Sequence, residues 1–68
     1  MKNTTQNKPL TPREAQVANL IYEGLQNKGI ASRLGVSVKT AEKHRMNIYQ
    51  KLDVHHAAQF IKTWMQQM

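Results

Sequence analysis

Residues 27–46 read Asn27-Lys28-Gly29-Ile30-Ala31-Ser32-Arg33-Leu34-Gly35-Val36-Ser37-Val38-Lys39-Thr40-Ala41-Glu42-Lys43-His44-Arg45-Met46. The junction Leu34-Gly35-Val36-Ser37 decides the fold. A tight turn between two helices needs a residue that takes positive φ, an apolar plug and a cap for the next helix. Gly35, Val36 and Ser37 supply these in order. Ile30, Ala31 and Leu34 form the inner face before the turn, with Asn27 expected to cap that shorter helix. After the turn, Ala41, His44, Ile48 and Leu52 recur at three or four residues, which predicts a longer helix from about Val38 to Lys51.

Outward from this pair, Thr11-Pro12-Arg13-Glu14 combines a capping hydroxyl, a proline at the first helical position and a glutamate at the third, the reciprocal capping box. Val17, Leu20, Ile21 and Leu25 continue a helical stripe, and Gly24 is its natural stop. A last helix is expected from near His55 or His56, with Ala57, Ala58, Ile61, Trp64, Met65 and Met68 at helical spacing. No period-two β-branched run is present. The fold class is therefore all-α with four helices, arranged as an N-terminal arm (residues 1–9) and one domain (residues 10–68). The arm, rich in Asn, Thr, Gln and Lys, is expected to be flexible.

Composition narrows the function. Ten Lys and Arg oppose four Asp and Glu, a formal charge of +6. The middle third holds Lys28, Arg33, Lys39, Lys43, Arg45 and Lys51 against the single acid Glu42. A basic field concentrated on one segment is the footprint of a polyanion. A membrane-surface helix would set its basic face against a large aromatic or Leu-rich one, which Lys39 to Lys51 lacks. Nucleic acid is thus the expected partner and membrane is not. A purely structural αα-corner explains the turn but not the cations.

The chain has no cysteine, no apolar run of the roughly 18 residues that span a bilayer, and no apolar signal region in its first residues. A cytoplasmic, reducing location is expected, nucleoid-associated when bound to DNA. An enzyme is not expected, because 68 residues rarely wall a substrate cleft. Neither a cofactor nor a small-molecule ligand is expected in this chain. His44 falls on an inner face, and the adjacent His55 and His56 point differently on a helix, so no metal site is expected. No nucleophile can be matched with a base and an orienting group, so no catalytic residue is assigned.

Leu10-Thr11-Pro12-Arg13-Glu14, Val17, Leu20, Ile21, Gly24, Asn27-Lys28, Ile30-Ala31, Leu34, Val36-Ser37, Thr40, His44-Arg45, Ile48, Lys51-Leu52 and Val54 together resemble the LuxR-type (GerE-like) helix-turn-helix domain of bacterial transcription regulators. The resemblance covers residues 10 to about 65. It implies a four-helix domain that binds double-stranded DNA with its third helix in the major groove and commonly dimerises through the fourth. Such a domain is usually the C-terminal output of a receiver or ligand-sensing protein. The chain departs from the family in having Gly29 where Glu is usual and Ala41 where Val is usual, changes that bear on stability.

With Ala41, His44, Ile48 and Leu52 inward, Glu42, Lys43, Met46 and Asn47 lie largely outward, and the resemblance gives the positions of Glu42, Lys43 and Met46 as typical base-reading sites. Lys can bond guanine O6 and N7, Glu can accept from cytosine N4, and Met can pack on a thymine methyl. Phosphate contacts are expected from Ser37, Lys39 and Thr40 at the start of the third helix, and from Lys28, Arg45 and Lys51 around it. Arg13 is expected to pair with acids inside the fold. In the last helix Ala57, Ala58 and Ile61 are expected to face inward, with Phe60, Trp64 and Met68 towards a twin subunit on DNA. Two readings compete: a protein-interaction module docking through the last helix, and an RNA-binding helical module.

Overall fold

In a computed structural model, which describes residues 9–67, the chain forms α1 (Pro12–Tyr22), α2 (Asn27–Leu34), α3 (Val38–Leu52) and α4 (Ala57–Gln67). No strand occurs among the described residues, as expected of an all-α fold. Residues 1–8, most of the anticipated arm, lie outside the described residues, and so does Met68.

Local chemistry sets most boundaries. The Glu14 amide donates to Thr11 Oγ1 at 3.1 Å, and the Thr11 amide donates to Glu14 Oε1 at 3.0 Å, closing the capping box. Gly24, at φ +98°, reverses the chain after α1. Gly35, at φ +69°, ends α2, and the Val36 amide reaches back to the Ala31 carbonyl at 3.0 Å, the closure of a Schellman turn. Ser37 Oγ then accepts from the Thr40 amide at 3.0 Å and opens α3. At the start of α2 the expectation needs correction. Gln26, not Asn27, is the cap residue, and it makes no side-chain capping bond. Asn27 is the first helical residue, and its Oδ1 is buried without a hydrogen-bond partner.

The core collects Val17, Ala18, Leu20 and Ile21 from α1, Ile30 and Ala31 from α2, Ala41 and Ile48 from α3, Val54 after it, and Phe60 from α4. Burying each branched or aromatic side chain stabilises by about 1.5–3 kcal/mol. α3 packs against both α1 and α2, so the helix-turn-helix is held from behind by the first helix. Gly29 is not demanded by packing, since a Cβ there would meet Leu25 at an ordinary 3.5 Å.

α4 is rotated relative to expectation. Phe60 is fully buried and stacks on Tyr49, with ring centroids 5.7 Å apart. Trp64 stacks on Phe60 at 5.8 Å, and its indole Nε1 donates to Asn19 Oδ1 at 3.2 Å. Ala57, Ala58 and Ile61, expected inside, are exposed, as is Met65. Two stripes of α4 share helical spacing, 57-61-65 and 60-64, and periodicity cannot choose between them. Area does: the aromatic pair removes far more apolar surface from water than two alanines and an isoleucine. Phe60 is therefore unavailable to a second subunit, and Trp64 is half-buried within its own.

Candidate nucleic-acid interface

The outer face of α3 carries Lys39, Glu42, Lys43, Met46 and Gln50, all exposed. Lys39, Lys43, Met46 and Gln50 follow one another by three or four residues and make a continuous outward stripe. Asn47 sits on the flank and is half-buried. Gln50 was not singled out from the sequence. It completes the stripe and, with Glu42, Met46 and Val54, lines an open concavity beside the end of α3.

At the start of α3, Ser37 and Thr40 are exposed but engaged with each other: Ser37 Oγ donates to Thr40 Oγ1 at 2.9 Å while accepting from the Thr40 amide. Lys28 is exposed at the first turn of α2 and shares a second concavity with Gln26, Asn27 and Arg45. Two cations and no acid line it. Arg45 is half-buried, with its Cζ 5.4 Å from the centre of the Tyr49 ring, within cation–π range.

Lys51 departs from expectation. Its ammonium pairs with Glu14 Oε1 at 2.7 Å and lies 3.4 Å from the Pro9 carbonyl oxygen. The side chains of this pair are 23% and 8% exposed, so Lys51 ties the end of α3 to the start of α1 instead of facing outward. Burial pushes the Glu14 carboxyl up. The Lys51 ammonium and the Thr11 amide and hydroxyl outweigh it and hold the carboxyl below its ordinary value of 4.5. Arg13, expected to pair with acids, is exposed and makes no ion pair among the described residues. Nothing in the sequence marked Lys51 apart from Lys39 or Lys43, because its partner lies 37 residues away.

His44 is half-buried on α3, while His55 and His56 are exposed. Among the described residues, no three His, Asp or Glu side chains gather where they would hold a metal ion. No described helix is long and apolar enough to cross a membrane.

The sequence pattern of the bacterial regulatory proteins of the luxR family matches residues 8–64. The chain is 52% identical over 54 residues to the uncharacterized response regulatory protein YgeK of Escherichia coli (strain K12), covering 79% of this chain and 37% of that protein. It is 46% identical over 54 residues to the transcriptional regulatory protein MctR of Rhizobium johnstonii, covering 79% of this chain and 25% of MctR. Among solved structures, the response regulator StyR superposes with a TM-score of 0.81 at 44% identity, over 84% of this chain and 29% of StyR. The chain thus spans little more than a third, or less, of the relatives it matches. The pattern match runs through nearly all of the described helices, and the four-helix architecture is shared with StyR. This chain belongs to the luxR family of bacterial regulatory proteins as a helix-turn-helix domain.

Proposed function

We propose that the chain is the DNA-binding part of a transcription regulator and sets α3 in the major groove of double-stranded DNA. The observation that carries this reading is the outward stripe of α3, where Lys39, Lys43 and Met46 are exposed with no ion pair or core contact among the described residues. Glu42, Lys43 and Met46 read base edges, and Asn47 reaches them from the flank. Lys28, Ser37, Lys39, Thr40 and Arg45 grip the backbone on either side. Lys51 is left out of that set, because its ammonium is spent on Glu14. The chain acts in the cytoplasm on the chromosome, and not as an enzyme.

Binding as a dimer fits the exposed strip of α4. Ile61 is 38% and Met65 56% exposed, and Ala57 and Ala58 flank them. This strip replaces Phe60 and Trp64 as the seam between two subunits on adjacent half-sites. Two linked modules gain effective concentration over one.

Titrating the chain into duplex, single-stranded DNA and double-stranded RNA over a range of salt tests the reading. A dimer setting Lys28, Lys39 and Arg45 of each subunit on phosphates gives a log–log salt slope of about −5 on duplex DNA. A slope near zero, or equal preference for the RNA duplex, would remove this function. Binding of duplex DNA by a chain that stays monomeric on a palindromic site would remove only the dimer.

A further inference from the structure

Arg45 and Tyr49 stand four residues apart on α3, the spacing that brings side chains together on one helix face. The guanidinium carbon lies 5.4 Å from the ring centroid. The ring is fixed from behind, stacked on the fully buried Phe60 at 5.7 Å and 22° between planes. Arg45 thus rests on a surface that cannot shift without opening the core. The consequence is visible in exposure: Lys39 and Lys43 on the same helix are exposed, whereas Arg45 is half-buried. Its held position also places it on the concavity that Lys28 lines.

The Tyr49 hydroxyl takes no part in these contacts, being buried without a hydrogen-bond partner. Whatever the residue contributes beyond packing therefore belongs to the ring. A flexible arginine loses much rotamer freedom when it grips a phosphate, and one already held on an aromatic face loses less.

We propose that Tyr49 is a positioning residue for DNA binding, its ring holding the Arg45 guanidinium beside Lys28 so that both cations meet the backbone phosphates of one strand. This rests on the chain being a duplex-DNA-binding domain. Tyr49 itself touches no DNA.

The test measures binding to a mixed-sequence duplex of about two helical turns, roughly 20 base pairs, at low salt. Wild type is compared with Tyr49→Phe, Tyr49→Leu, Arg45→Gln and the Tyr49→Leu/Arg45→Gln double variant. Tyr49→Phe is expected to bind within about twofold of wild type, since the ring remains. Tyr49→Leu is expected to lose roughly three- to tenfold. Arg45→Gln is expected to lose at least as much and to lower the salt slope by about 1 per subunit. The double variant then loses no more than Arg45→Gln alone. An equal loss from Tyr49→Leu with and without Arg45 would overturn the proposal, because a purely structural role acts in both backgrounds. An unchanged affinity and slope for Arg45→Gln would overturn it as well, and so would a Tyr49→Phe loss as large as that of Tyr49→Leu. These three outcomes leave the DNA-binding reading standing, while a wild-type chain that ignores the duplex removes both. Nuclear magnetic resonance of the wild-type chain decides the matter should Tyr49→Leu not fold. The Arg45 Nε proton is expected upfield of that of Arg33, shielded by the ring, and to stay there on duplex addition. An unshielded Arg45 proton in either state would overturn the proposal.

Discussion

The two halves of α3 are built from similar residues and put to different uses. From Lys39 to Met46, only Ala41 is buried, and Lys39, Glu42, Lys43 and Met46 are exposed. From Ile48 to Leu52, the isoleucine is buried, the tyrosine stacks on α4 and the lysine is bonded to α1. Lys43 and Lys51 are the same residue two turns apart. One is an exposed cation and the other is part of the scaffold. What differs is the company: the second half is flanked by α1 and α4, the first presents one side to solvent. A lysine's availability to a polyanion is decided by what lies across from it, and net charge overstates the binding field accordingly.

The sharpest way to break this comparison is to truncate neighbours on opposite sides of the boundary. Ile48→Ala removes a fully buried side chain and is expected to cost about 2–5 kcal/mol of stability in urea denaturation. Met46→Ala, two residues earlier and 56% exposed, is expected to change stability by no more than about 0.5 kcal/mol. Comparable losses would show that the outer stripe is packed.

Next in size are the two lysines. Lys51→Met is expected to cost about 1–3 kcal/mol of stability, because Glu14 stays buried without its cation. Glu14 also makes stability depend on pH. Its folded value lies below 4.5, so its contribution is present in full above that value and is lost as pH falls through the lower, folded one. Acid titrations followed by circular dichroism should show that loss in wild type and less of it in Lys51→Met. Lys43→Ala is expected to leave the melting curve alone and cost about 1–3 kcal/mol of binding on a site selected from a random duplex pool, with selectivity relaxed at one position per half-site. Lys39→Ala is expected to weaken all sequences alike and to reduce the salt slope by about 1 per subunit. An exchange of these two signatures would mean that the stripe is read from the other end.

The smallest effect concerns the end of the helix. Asp53 closes α3 at φ +56°, the only positive-φ residue among those described that is not glycine, and it places a carboxylate at a helix C-terminus. Asp53→Gly is expected to stabilise by about 0.5–1 kcal/mol, read as a higher melting temperature with unchanged DNA affinity. A lowered melting temperature would show that the carboxylate holds the turn.

That same residue explains part of what could not be foreseen. The starts at Thr11 and Ser37 and the stops at Gly24 and Gly35 were legible because each depends on residues within one turn of the boundary. The end of α3 carries no glycine, and its stop comes from an aspartate in a conformation that sequence does not announce. The rotation of α4 was missed for another reason: two stripes had equal periodicity, and what chooses between them is the larger apolar area of Phe60 and Trp64, taken up by the stack on Tyr49. In the candidate site, the outward placement of Glu42, Lys43 and Met46 followed from the apolar residues facing the other way. The diversion of Lys51 and the stacking of Phe60 that fixes the ring beneath Arg45 depend on tertiary neighbours, and no helical repeat contains those.

Glu14 Oε1 accepts from both the Thr11 amide and the Lys51 ammonium. One oxygen atom therefore closes the first turn of α1 and fastens the last turn of α3. Fraying of α3 leaves the Thr11–Glu14 bond in place, whereas displacement of the carboxylate breaks both bonds, so an opening at the start of α1 also loosens the end of α3. In hydrogen-exchange terms, Glu14→Ala is expected to lower protection both at the Thr11 amide and at the amides ending α3. The helix that carries the outward stripe is thus anchored through a carboxylate on α1, 37 residues earlier in the chain, and an acid on the first helix helps to set the stiffness of the third.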